Sequence, residues 1–128
     1  MPLPNSPRRI LVVDDNRDAA DLTAELFTLC GYAAKVAYGG RQGIDTATAF
    51  LPDVVFLDLG MPEVDGFAVA AALRHIPALA QARLIAYTAW SDAATRQRVL
   101  ACGFDQHLVK PASFEALQRA ATPTRPAV

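Results

Sequence analysis

At 128 residues the chain is long enough to bury one domain's core without disulfides or a structural metal. Hydrophobic residues make up 52% and charged residues 20%, a globular composition that excludes a disordered chain. The formal net charge of -1 supplies neither a basic field for nucleic acid nor a polybasic patch for a membrane, so any phosphate chemistry must come from a local site. Met1 to Arg8 holds three prolines and no apolar run, which reads as a flexible lead-in over 1–8 rather than an export signal. The longest apolar run is far too short to span a bilayer.

Short apolar runs alternate with segments of helical period. Arg9 to Val13 is the first predicted strand, and Asn16 caps a helix in which Ala19, Leu22, Leu26 and Leu29 recur at helical spacing before Gly31 stops it. Ala33 to Ala37 is a weaker strand, with Lys35 turned outward as an edge strand allows. Ile44, Ala47 and Leu51 mark a second helix that ends before Pro52. Val54 to Leu57 is apolar on both faces, as a central parallel strand covered by helices requires.

The turn-rich loop Gly60 to Gly66 leads to a third helix from Phe67 to His75, closed off by Pro77. Small residues over Ala68 to Leu73 suit close packing, and His75 reads as a solvated residue at a helix C-terminus. Leu84 to Tyr87 is the fourth strand, and Ser91 caps a helix that ends at Gly103. His107 to Val109 is the fifth strand, and Ser113 opens a last helix with Phe114 and Leu117 inward. The chain from Thr122 carries two prolines and is expected to fray. Cys30 and Cys102 each precede a glycine at a helix end, and they are expected as reduced thiols filling core positions.

Five β-α units over 9–121 predict an α/β domain, a doubly wound parallel sheet of order 2-1-3-4-5 with helices on both faces. That order brings the C-terminal ends of strands one, three, four and five to one edge. Asp14, Asp15, Asp58, Thr88 and Lys110 all fall just past such ends. Each has a plainer reading alone: an aspartate after a strand caps the next helix, and a lysine there is a solvated charge. Their conjunction carries the argument. Carboxylates about 4 Å apart repel by roughly 4 kcal/mol at an effective dielectric of about 20, so the cluster calls for a divalent cation and leaves one carboxylate as a nucleophile.

At this point the chain resembles the receiver domains of two-component response regulators. The matching motifs are Leu11-Val12-Val13-Asp14-Asp15-Asn16, Phe56-Leu57-Asp58-Leu59-Gly60-Met61-Pro62 with Asp65-Gly66, Thr88-Ala89, and Gly103-Phe104-Asp105 leading to Leu108-Val109-Lys110-Pro111. They occur in order over residues 8–121. The resemblance implies that Asp58 accepts a phosphoryl group from a phosphohistidine on a partner kinase or phosphotransfer protein. It implies Mg²⁺ held by Asp15, Asp58 and the Gly60 backbone carbonyl, with Asp14 acting through water. Lys110, Thr88 and Ala89 then contact the phosphoryl group, with Thr88 also carrying the switch, and Pro111 follows a peptide bond that is often cis in the family.

The same resemblance implies a cytoplasmic signalling switch that assists its own phosphorylation and hydrolysis without being an enzyme. The downstream partner is a protein rather than nucleic acid or membrane, and no output domain is expected in this chain. Receivers that stand alone and receivers of hybrid histidine kinases both fit.

Three positions depart from the commoner pattern. His107 stands where Tyr or Phe is frequent, which offers a pH-sensitive element in place of an aromatic switch. Gly60 lacks the side chain that often orients water, and Trp90 is large where polar residues are frequent. Trp90 reads either as a partly exposed aromatic at a helix start or as a lid over the site. Two other classes compete. A small Mg-dependent phosphatase with an aspartyl phosphate would carry a second aspartate where Gly60 stands, and a flavodoxin-like nucleotide or flavin binder would need a phosphate-cradling loop where Asp14 and Asp15 stand.

Overall fold

The computed structural model describes residues 8–122. Five parallel strands, β1 (Arg9–Val13), β2 (Ala33–Ala37), β3 (Val54–Leu57), β4 (Arg83–Thr88) and β5 (Gln106–Val109), lie in the order 2-1-3-4-5. Between and after them run α1 (Arg17–Leu29), α2 (Gly40–Phe50), α3 (Gly66–Arg74), α4 (Ala93–Ala101) and α5 (Phe114–Ala121). The doubly wound expectation holds.

The strands form where the sequence is apolar on both faces because each face meets its own helical layer. Leu11, Val13, Val55, Leu57, Leu84 and Ala86 point into a core with α2, α3 and the Val99 side of α4. Ile10, Val12, Val54, Phe56 and Ile85 point into the other, with α1 and α5, where Phe27 stacks on Phe56 and meets Phe114 edge-on. Burying a phenylalanine of that size stabilises by about 2–3 kcal/mol. Among the α4 side chains only Val99 is buried, and in α2 only that of Ala47.

Several expectations need correction. The inward face of α1 is Ala20, Thr23, Ala24 and Phe27, whereas Leu22 and Leu29 are exposed. Alanines let the helix backbone approach the sheet, and the leucines point away. Asp92, not Ser91, caps α4, because its carboxylate accepts from Thr95 N–H and its hydroxyl. That helix stops at Ala101, and Pro77 opens a short 3₁₀ turn, Pro77–Leu79, rather than only ending α3.

Cys30 is exposed and Cys102 half-buried. Both sit at helix C-caps, where the glycine that follows takes the left-handed turn, with φ of 93° at Gly31 and 92° at Gly103. Arg8 already belongs to the fold, with its Nε donating to the Ala121 carbonyl at 3.2 Å. The rest of the expected lead-in and the tail after Thr122 lie outside the described residues. No described helix is long and apolar enough to cross a membrane.

Candidate functional site

β1 and β3 pair in register, Val13 beside Leu57, so the residues that follow them leave the sheet side by side. Asp14 and Asp15 come from the first strand and Asp58 from the second. One oxygen from each lies within 4.8 Å of the others. Asp14 is 3% exposed and Asp15 is exposed, so the cluster runs from the sheet edge out to solvent.

The carboxylates are engaged differently. Asp14 Oδ1 accepts from Asn16 N–H at 2.9 Å and its Oδ2 from Lys110 Nζ at 2.5 Å, so both of its oxygens are occupied. Asp58 Oδ1 accepts from Leu59 N–H at 2.8 Å, which leaves Oδ2 aimed at Lys110, 3.4 Å away. Asp15 presents an unburied carboxylate. Lys110 therefore sits against Asp14 first and Asp58 second, directly after β5, and the Lys110–Pro111 peptide that follows it is cis.

Burial pushes the Asp14 carboxyl up, against the hydrogen bonds from Lys110 and Asn16 that favour its charged form. Burial also works against the Lys110 ammonium, but its hydrogen bond to Asp14 and the charges of Asp58 and Asp14 outweigh that and hold it above its ordinary 10.5. The ammonium is the firmer charge of the pair. For both groups the folded state binds the proton more readily than the unfolded chain, so both contributions to stability decline as pH rises. Lys110's is complete below 10.5; Asp14's begins to fall above 3.8.

The expected result, in chelator, is that Asp14→Asn gains stability relative to wild type as pH climbs from 3.8 through the raised value of the carboxyl. Urea midpoints measured across that range check it, and parallel curves would sink it.

Thr88 ends β4, 1% exposed, and its Oγ1 accepts from Trp90 N–H at 3.3 Å. The exposed Ala89 lies between them. Trp90 is 48% exposed, yet its indole lies against the loop after β3: a Cβ on Gly60 would stand 3.0 Å from Trp90 Cζ2. Glycine at 60 leaves room for the ring, two residues after Asp58. The same loop turns tightly, with Val64 N–H donating to the Pro62 carbonyl at 2.8 Å across Glu63 at φ 67°. His107, in register with Ala86, places Nε2 3.0 Å from the Trp90 carbonyl oxygen.

The structure thus brings together Asp14, Asp15, Asp58 and Lys110, and sets Trp90 over Gly60. The link from His107 to Trp90 was not visible in the sequence, because it runs through a main-chain carbonyl. Arg74 was missed for the same reason. Its guanidinium donates to the Ala82 carbonyl at 2.8 Å, to the Gly103 carbonyl at 2.8 and 3.0 Å, and to Asp105 at 2.9 Å, tying α3 to the loops before β4 and β5.

Hard oxygen donors around a buried carboxylate, with one lysine against three acids, suit a small divalent cation. The chain is similar to known proteins. A family model for the response regulator receiver domain matches residues 10–122. Response regulator MprA of Mycolicibacterium vanbaalenii is 34% identical over 115 residues, 87% of this chain and 47% of that protein. The chain therefore spans about half the length of that curated relative.

Two solved structures superpose closely. The Vibrio cholerae chemotaxis protein CheY4, crystallised at low pH, has a TM-score of 0.84 at 25% identity, over 89% of this chain and 95% of that one. A Burkholderia pseudomallei response regulator, with a phosphorylated aspartic acid, calcium ion and citrate, has a TM-score of 0.83 at 27% identity, over 90% of this chain and 66% of that one.

Proposed function

This chain belongs to the response regulator receiver domain family of two-component signalling, and from that premise we propose that Asp58 is its phosphoacceptor. The observation that carries the reading is the unequal treatment of the two Asp58 oxygens. Leu59 N–H orients Oδ1 at 2.8 Å, and Oδ2, held only by the longer 3.4 Å contact from Lys110 Nζ, is the oxygen placed to attack. Asp58 Oδ2 forms a bond to phosphorus as the phosphorus–nitrogen bond of a donor phosphohistidine breaks, and the imidazole leaves with a proton. The product is an acyl phosphate.

Asp15, Asp58 and the Gly60 carbonyl would hold Mg²⁺, with Asp14, buried against Asn16 N–H and Lys110 Nζ, reaching it through water as the family resemblance implies. When bound, the cation supplies positive charge against which the incoming phosphoryl oxygens are neutralised. Lys110 adds a point charge from the other side. Thr88, with its hydroxyl oxygen already accepting from Trp90 N–H, has its own proton to offer a phosphoryl oxygen. Turnover is not the purpose of such a site; a phosphoryl-dependent shift between two conformations is. The donor is a histidine kinase or histidine phosphotransfer protein, and the setting is cytoplasmic.

The test is to incubate wild type and Asp58→Asn with phosphoramidate, with Mg²⁺ or chelator, and to weigh the intact proteins. A phosphate adduct is expected only on wild type with Mg²⁺. Equal yield on the variant would reject the assignment. Thr88→Ala is expected to accept phosphate at close to the wild-type rate, yet to lose much of the amide-shift response around α4. A full response in that variant would refute the coupling.

A further inference from the structure

His107 and Trp90 are seventeen positions apart and belong to different elements, yet they form one assembly. The Trp90 carbonyl oxygen can only accept, so the His107 proton in that 3.0 Å contact resides on Nε2. Nδ1 is buried with no partner among the described residues. A buried polar atom left unmatched is a cost that packing alone would remove with Phe or Leu. What the imidazole supplies in exchange is a donor to residue 90.

The Trp90 main chain is held on both sides, its N–H by Thr88 Oγ1 and its C=O by His107. With the backbone pinned twice, the point from which the indole reaches Gly60 is fixed. We infer that His107 is a positioning residue for the phosphoryl chemistry: its hydrogen bond to the Trp90 carbonyl holds the indole across the mouth of the Asp58 site and thereby lengthens the life of the acyl phosphate.

Hydrolysis requires a water oxygen to bond to phosphorus in line with the breaking bond to Asp58. The carboxylate and inorganic phosphate are the products, and a proton goes to solvent. An indole beside Gly60 stands against that approach. The inference rests on Asp58 being the phosphoacceptor, but the position of the indole can be read without any phosphorylation.

The experiment compares wild type, His107→Phe, His107→Gln and Trp90→Ser. Trp90 is the only tryptophan, so acrylamide quenching of its emission reports its exposure directly. His107→Phe, which keeps a ring but loses the donor, is expected to raise quenching and shorten the phosphoryl half-life severalfold. His107→Gln, with an amide N–H to offer, should restore both toward wild type. Trp90→Ser sets the half-life of an uncovered site. Thermal midpoints identify any variant that has merely loosened. Unchanged quenching in His107→Phe overturns the latch, and raised quenching with an unchanged half-life overturns its role in the chemistry. Failure of Asp58 to carry phosphate would show as the absence of an adduct in wild type, while the quenching comparison would still decide whether His107 holds the ring.

Discussion

Replacing Lys110 with methionine is expected to slow phosphorylation of Asp58 by about a hundredfold or more, the usual loss when one preorganised donor is taken from a transition state gathering negative charge. Methionine keeps an apolar stem of similar length, so the change is mostly in charge. Nζ sits 2.5 Å from Asp14 and 3.4 Å from Asp58, and nothing else among the described residues brings a cation to those oxygens. The variant should therefore also bind Mg²⁺ more tightly, because the competing positive charge is gone and the repulsion among the acids is unrelieved. Initial rates of adduct formation at saturating Mg²⁺ measure the first effect. Trp90 emission during Mg²⁺ titration measures the second. A wild-type rate would remove Lys110 from the chemistry, and weaker Mg²⁺ binding would contradict this electrostatic account.

A second large effect is expected from a single methyl group. In Gly66→Ala the new Cβ would stand 2.3 Å from the Asp58 carbonyl oxygen and 2.8 Å from Leu59 Cα. Both are backbone atoms of the segment that carries Asp58, and Gly66 N–H donates to the Leu59 carbonyl at 3.1 Å. Relief must come from moving α3 or Asp58 itself. The cost should reach about 3 kcal/mol, the upper part of the range for overpacking, or roughly 10 °C in the thermal midpoint of a domain this size. Phosphorylation should slow as well. Gly60→Ala is the comparison, since its nearest neighbour is the movable Trp90 ring rather than backbone. Equal midpoints for the two variants would show that the loop yields more readily than its geometry implies.

The sheet and the acidic cluster were legible because they rest on the strongest signals a sequence carries. Val54 to Leu57 is apolar at every position, and all four are buried. Strand ends then dictate where Asp14, Asp15, Asp58 and Lys110 must lie. The inward face of α1 was misread because leucine is the more hydrophobic residue, whereas the helix needed small ones where it approaches the sheet. Ser91 and Asp92 are adjacent and equally good caps in composition; which carboxylate or hydroxyl reaches Thr95 N–H is a matter of backbone direction. His107 and Trp90 were each singled out as departures, but their connection runs through a carbonyl that every residue possesses.

The two-sided core gives the molecule a partition. His107 is in register with Ala86, whose side chain lies in the core shared with α2, α3 and α4, while Ile85 faces α1 and α5. Thr88, two residues beyond Ala86 on the same strand, shares its side. A displacement of the Thr88 hydroxyl would enter that layer first, with the sheet between it and the layer where Phe27 packs on Phe56 and Phe114. Within that layer α4 buries only Val99, so moving it would expose little apolar surface. The two faces of the sheet would thus respond unequally: a change at Thr88 meets the layer of α2, α3 and α4 directly and reaches α1 and α5 only across the strands.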